Sequence, residues 1–247
     1  CVISSSKFLE PEGVLDGLRK VFVGTNVTLT PPIDEAGPTE GPQPQDRLAY
    51  QGNLQDLTDL FAEPSGALKS LAGKLSITLA DSTLATKAKT DFAAFLSLNA
   101  LSPIVISTTD EAAIAALRSA NADLAAAWTA DKNARLYGDT TKVFDYSDNW
   151  YADRADMLVA ITYRNQHDVA AGTSISLGTQ RVVYQDMASN QTLAVLDGAV
   201  AATVYTPKVV FGTDQADPSL AGNDGADHLY GGGGDDILNG QGGNDYL

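Results

Sequence analysis

Apolar residues along this chain recur first at helical spacing and later at strand spacing. Val14, Leu15, Leu18 and Phe22 share one helical face over 11–23, with Pro11 in the first turn and Gly24 as the stop. Asn26 to Thr30 reads as a strand, and Leu54, Leu57, Leu60 and Phe61 as a short helix ended near Pro64. Leu75, Ile77 and Leu79 alternate with Ser76 and Thr78, the mark of a half-buried strand. A helix capped by Asp81 or Ser82 is predicted to run to about Leu101, with Leu84, Ala88, Phe92, Phe95 and Leu96 facing inward and Pro103 beyond its end. Ile104 to Ile106 is a short buried run. A second long helix follows Thr108 or Thr109, with Ile114, Leu117, Leu124 and Trp128 as its apolar stripe and Gly138 as its stop. Asp110 and Glu111 stand in its first turn, where the helix dipole favours anions. A third helix over about 150–165 buries Trp150, Leu158 and Ile161. After Gly172 the period falls to two, giving strands at 181–185, 192–196 and 199–205 with turns at Asn190 and Asp197-Gly198.

Composition divides this series into segments. Five of the ten prolines lie in 31–46, among Gly37, Gly41, Asp34, Glu35 and Glu40, a stretch too polar to order itself by burial. It reads as a linker between a short helix and strand remnant at 1–30 and a helical or α+β domain at 47–206. Residues 207–247 form a fourth, distinct segment. The expected class is therefore α+β: a mainly helical domain with a small antiparallel region, followed by a stack of repeats.

Charge narrows the function. Sixteen Lys and Arg against thirty-one Asp and Glu leave a net charge of −15. That balance argues against nucleic acid and against an anionic membrane surface, both of which select for basic residues. No apolar run is long enough to span a bilayer. Cys1 is the single cysteine, so neither an internal disulfide nor a thiolate metal cage is available. Cys1 in place of Met, and an end inside a repeat, read as the two cut ends of a longer protein.

The chemistry is concentrated in the last 37 residues, which hold ten of the twenty-two glycines and seven aspartates, with no Lys, Arg or Glu. Written in nines they run 222–230, 231–239 and 240–247. Asp227, Asp236 and Asp245 recur in phase, as do Leu229, Leu238 and Leu247. This is the pattern G-G-x-G-x-D-x-U-x, with U a large apolar residue. A flexible polar tail has no reason to hold an aliphatic side chain at every ninth position. The glycine-rich part bends through conformations open chiefly to glycine, and x-U-x is a short strand with one inward side chain. Successive turns should alternate between the two sides of a parallel β-roll, so turns on one side lie eighteen residues apart.

That spacing pairs the turn 222–227 (Gly222, Asp224, Gly225, Asp227) with the turn 240–245 (Gly240, Gly242, Gly243, Asp245). The carboxylates of Asp227 and Asp245 are expected to face each other and to repel unless a cation lies between them. Carboxylates with turn carbonyls offer a six- or seven-oxygen site at about 2.3–2.6 Å, which suits calcium better than magnesium. Asp236 needs a partner eighteen residues away, near 218 or near 254. Upstream, 212–220 is an imperfect repeat in which Asp217 fits only if Leu220 is displaced by one residue. One good calcium site and at most two partial ones are expected. The glycines and the like charges should leave the segment unfolded without metal, while millimolar calcium adds on the order of 1 kcal/mol per site.

Residues 222–247 resemble the RTX, or haemolysin-type calcium-binding, repeats of bacterial proteins exported by type I secretion. The resemblance implies a secreted, extracellular protein whose partners are calcium ions and, during export, the type I secretion machinery. It implies side-chain ligands from Asp227, Asp236 and Asp245 and turn carbonyls from residues such as Gly225 and Gly243. Asn223 and Gln241 depart from the second glycine of the motif. The stretches 93–103 and 148–158, with Arg164-Asn165, look like the region ahead of the repeats in large RTX proteins, some of which carry a class 3 lipase-like domain further upstream. The expected role is thus a calcium-binding segment that folds outside the cell. The alternatives are the non-catalytic part of a lipase-like hydrolase with its active site upstream, or part of an RTX toxin or adhesin.

No catalytic constellation is expected within the chain. The nearest approach to a nucleophile elbow, Gly172-Thr-Ser-Ile-Ser176, ends in Ser instead of Gly. His167 reads as a helix C-terminal dipole partner, His228 as a solvated repeat residue, and Asp153 with Asp156 as a charged helix face. Asp217-Pro218 is an acid-labile bond outside any processing module. The acceptor-like triplets beginning at Asn26 and Asn190 are common by chance.

Overall fold

The structure is a computed structural model that describes residues 75–102, 104–167, 169, 172–196 and 205–247. The helices expected at 11–23 and 54–61, the strand at 26–30, the linker at 31–46 and nearly all of the strand at 199–205 lie outside the described residues. The class is α+β. The chain divides into two compact units, Cys1–Asp168 and Val169–Leu247.

In the first unit, β1 (Leu75–Leu79) pairs antiparallel with β2 (Ile104–Thr108), Ile77 opposite Ile106. The expected helix over 82–101 is two: α1 (Leu84–Ala88) and α2 (Phe92–Asn99). Asp91 makes the break. Its backbone is extended and its carboxylate accepts from the N–H groups of Ala93 and Ala94, restarting the helix as an N-cap. The same carboxylate accepts from the Ser107 hydroxyl and, at 3.3 Å, from Thr108 N–H, so one side chain ties α2 to the end of β2. Ser97, fully buried, adds a second tie by accepting from Ile106 N–H at 3.1 Å.

The second long helix is also divided, into α3 (Glu111–Ala120) and α4 (Ala122–Tyr137). At the junction Asn121 leaves the helical region at φ −133°, ψ 55°, and its amide donates back to Leu117 O. Such local side-chain bonds compete with the helix ladder. Gly138 closes α4 as expected, in the left-handed region at φ 65°, while Asp110, expected in the first turn, is itself the N-cap of α3. α5 (Asp148–Gln166) begins at the Ser147 cap and is buried on most of its circumference. Phe92, Phe95, Trp128, Tyr146, Trp150 and Tyr151 form one aromatic cluster, with Trp128 Nε1 donating to Ala88 O at 2.9 Å. Fully buried Asp131 accepts from Tyr146 N–H at 2.7 Å and lies 3.5 Å from Lys142 Nζ. A charge inside the unit is thereby paired rather than stranded.

The second unit starts with an antiparallel hairpin, β3 (Arg181–Asp186) and β4 (Gln191–Leu196), turning at Asn190 in the left-handed region. Then the pairing changes sense. β5 (Lys208–Phe211) runs parallel to β3, and β7 (His228–Tyr230) parallel to β5, giving a sheet of order β4-β3-β5-β7. β6 (Leu220–Asn223) and β8 (Leu238–Gln241) form a separate parallel pair. His228 forms a further parallel bridge to Tyr246. From β5 to β8, strands consecutive in sequence thus alternate between two sheets. Val210, Leu220 and Leu229 are buried together, with Leu238 against them, as expected for the apolar member of a nine-residue unit, whereas Leu247 of the third unit is 61% exposed.

Candidate metal centre

Every acid of the repeat column sits over a glycine five residues before it. A Cβ on Gly222 would collide with Asp227 Oδ2, one on Gly231 with Asp236 Oδ2, and one on Gly240 with Asp245 Oδ2. On Gly212 it would come within 2.6 Å of Asp217 Oδ2. The glycine is needed because the carboxylate folds back across its own turn. There it takes a backbone donor: Asp227 accepts from Asn223 N–H, and Asp217 accepts from Thr213 N–H at 2.7 Å.

The Oδ1 atoms of Asp227, Asp236 and Asp245 reach one turn back along the stack. Asp227 N–H donates to Asp245 Oδ1 at 3.0 Å, and Asp217 N–H donates to Asp236 Oδ1 at 2.9 Å. Asp227 therefore does not face Asp245 carboxylate to carboxylate. Its own Oδ1 accepts from Lys208 N–H at 2.6 Å, so the acids run head to tail, each charge against the next backbone donor. This order relieves repulsion that the spacing alone had left to a cation. Asp227 is fully buried, Asp217 nearly so, and Asp236 and Asp245 are half-buried.

The glycine-rich turns stack closely. Gly243, at φ +116°, lies against the Gly225 carbonyl, and a Cβ on Gly242 would be 3.1 Å from Asp224 Oδ1. A Cβ on Gly222 would be 2.6 Å from Gly240 O. The turn pair 222–227 and 240–245 thus brings together Gly222, Asp224, Gly225, Asp227, Gly240, Gly242, Gly243 and Asp245. Asp236 belongs to the other column, stacked on 212–217. The displaced register expected for Asp217 is what occurs, since Asp217 and Asp236 are nineteen residues apart and Leu220 still pairs with Leu238.

Among the described residues no three His, Cys, Asp or Glu side chains converge on one point. A cation held here must therefore draw on carbonyls as well as carboxylates. The donor set is all oxygen, with no thiolate, and its only nearby imidazole belongs to His228. That ring is half-buried rather than simply solvated, 5.6 Å from the Tyr246 ring and 6.4 Å from Tyr230. The set fits a hard cation with flexible coordination.

The other sequence candidates are occupied structurally. His167 Nδ1 lies 2.9 Å from Tyr163 O and its ring stacks on Tyr163 at the end of α5. Ile175, in the elbow-like stretch, accepts from Leu196 N–H and donates to Ala194 O along the hairpin. Asp153 and Asp156 are half-buried rather than a solvated face, and burial, followed by the charge of Asp153, raises the Asp156 carboxyl above the ordinary range.

A parallel stack of acidic, glycine-rich turns with oxygen donors defines a calcium-type repeat segment. Residues 219–247 match the family described as RTX calcium-binding nonapeptide repeat (4 copies), so the chain carries RTX haemolysin-type calcium-binding repeats. No curated protein and no solved structure matches the chain. No described helix is long and apolar enough to cross a membrane.

Proposed function

We propose that residues 207–247 begin a parallel β-roll that binds calcium between stacked turns, and that they serve as the calcium-triggered folding segment of a protein exported by type I secretion. The observation that carries this reading is the superposition of the turn 240–245 on 222–227, with the Asp245 carboxylate on the Asp227 backbone N–H and the two glycine-rich backbones in close approach. Asp227 and Asp245, with carbonyls such as Gly225 and Gly243, would hold the ion, and Asp236 would serve the second column with Asp217. Calcium would supply charge compensation and cross-linking of adjacent turns. The role proposed is non-catalytic, with any hydrolase, toxin or adhesin activity belonging to sequence outside this chain.

The calcium arithmetic supports the secretion part of this reading. A site of about 0.1–1 mM affinity gains almost nothing at cytosolic calcium and is largely filled outside the cell. Calcium addition to the chelated full chain should raise amide protection across 228–247, and magnesium at equal concentration should not. Equal protection in chelator and in millimolar calcium would contradict the proposal.

A further inference from the structure

Lys208 occupies an acid's place. Its backbone N–H donates to Asp227 Oδ1 at 2.6 Å, as the backbone N–H of Asp227 donates to Asp245 Oδ1 at 3.0 Å and that of Asp217 to Asp236 Oδ1 at 2.9 Å. It also precedes inward Val210 by two residues, as Asp227 precedes Leu229. Read up the column, the slots are Asp245, Asp227 and then Lys208. The ammonium turns back onto the turn below, 3.0 Å from Gly222 O and 3.4 Å from Ala221 O.

The residues before it complete a non-glycine turn. Thr206 O accepts from Asn223 Nδ2 at 2.8 Å, Pro207 would lie 3.5 Å from a Cβ on Gly225, and the Tyr205 hydroxyl bonds the Asp224 carboxylate. Segment 205–208 therefore satisfies the upper face of the 222–227 turn with side chains of its own.

We propose that Lys208 is a tethered cation that stands at the head of the acidic column in place of a metal ion. Its charge orders the 222–227 turn against the β3–β5 sheet before any calcium arrives, leaving only the face toward 240–245 for metal. Terminal units of repeat stacks need such caps, because they lack a neighbour on one side. Charge compensation by Lys208 stands without the calcium reading, while the single metal-binding face rests on it.

The test is amide exchange on the full chain in chelator, comparing wild type with Lys208→Arg, Lys208→Met and Lys208→Glu, with the amides of 84–166 as internal control. Wild type and Lys208→Arg should protect the Lys208-position and Asn223 amides. Lys208→Met should lose about tenfold or more of that protection, the loss expected for one charge-assisted bond. Lys208→Glu, with three like charges in the column, should lose more. Protection of Lys208→Met equal to wild type, or of Lys208→Glu equal to Lys208→Met, would overturn the cap. Should Lys208→Met also unprotect 84–166, wild type in chelator decides: an unprotected Asn223 amide overturns the proposal, a protected one supports it. Wild type that binds no calcium would overturn the calcium reading and the metal-facing half, leaving the chelator series to judge the cap alone.

Discussion

Two glycines with the same backbone sign show what the repeat demands of a single position. Gly178 (φ +65°) and Gly243 (φ +116°) are both in the left-handed half of the map, but only Gly243 has a neighbour, the Gly225 carbonyl, where a Cβ would go. Gly178→Ala should cost about 1–2 kcal/mol, the left-handed penalty alone. Gly243→Ala adds a backbone collision and should cost at least about 3 kcal/mol, or unfold the turn. Thermal unfolding in millimolar calcium, followed by amide exchange at 228–247, checks the difference. Both tryptophans, Trp128 and Trp150, lie in the helical unit, so their fluorescence should stay unchanged in either variant. The acid and apolar slots of the repeats were legible in the sequence because their period is strict. The head-to-tail order of the carboxylates was not, since spacing places a side chain on a turn without saying which backbone donor it meets.

Among the helices, the apolar period is legible in the sequence and the breaks are not. Leu84, Ala88, Phe92 and Phe95 keep their inward phase across Lys89 to Asp91, so periodicity cannot register the interruption. Asp91 was the available signal, as an N-cap type ahead of a second apolar run. Because it joins α2 to β2, Asp91→Ala should destabilise by about 2–3 kcal/mol, more than an ordinary cap, measured as a loss of Trp-monitored denaturation free energy. Asp156 on α5 predicts the opposite sign. Its raised carboxyl pKa means the folded state holds that proton more tightly than the unfolded chain does. The resulting stability is present below the unfolded pKa and lost as pH rises through the folded pKa, so at neutral pH the ionised group weakens the fold. Asp156→Asn should therefore raise the melting temperature near pH 7, with the gain shrinking as pH falls through the carboxylate range. A gain independent of pH would contradict the burial argument.

The chain as a whole carries an aromatic-cored helical unit and a repeat segment with a small apolar core. Val210, Leu220, Leu229 and Leu238, with buried Val209 and the stacked Phe211 and Tyr230, are a small core for so many glycines, and the proposed cation binding would add a further stabilising term. The repeats were legible in the sequence; their attachment to β3 through parallel β5 was not, because Lys208 to Phe211 carries no glycine signature and parallel pairing leaves no turn motif. A chain of net charge −15 attracts calcium weakly everywhere, so only a site-specific comparison is decisive. Calcium binding should be measured by calorimetry on the full chain and on Asp245→Asn, in physiological salt. One well-formed site of about 0.1–1 mM affinity, with at most two weaker ones, is predicted for the wild type, and Asp245→Asn should abolish the first. No bound calcium at millimolar concentration, or undiminished binding in Asp245→Asn, would contradict the account.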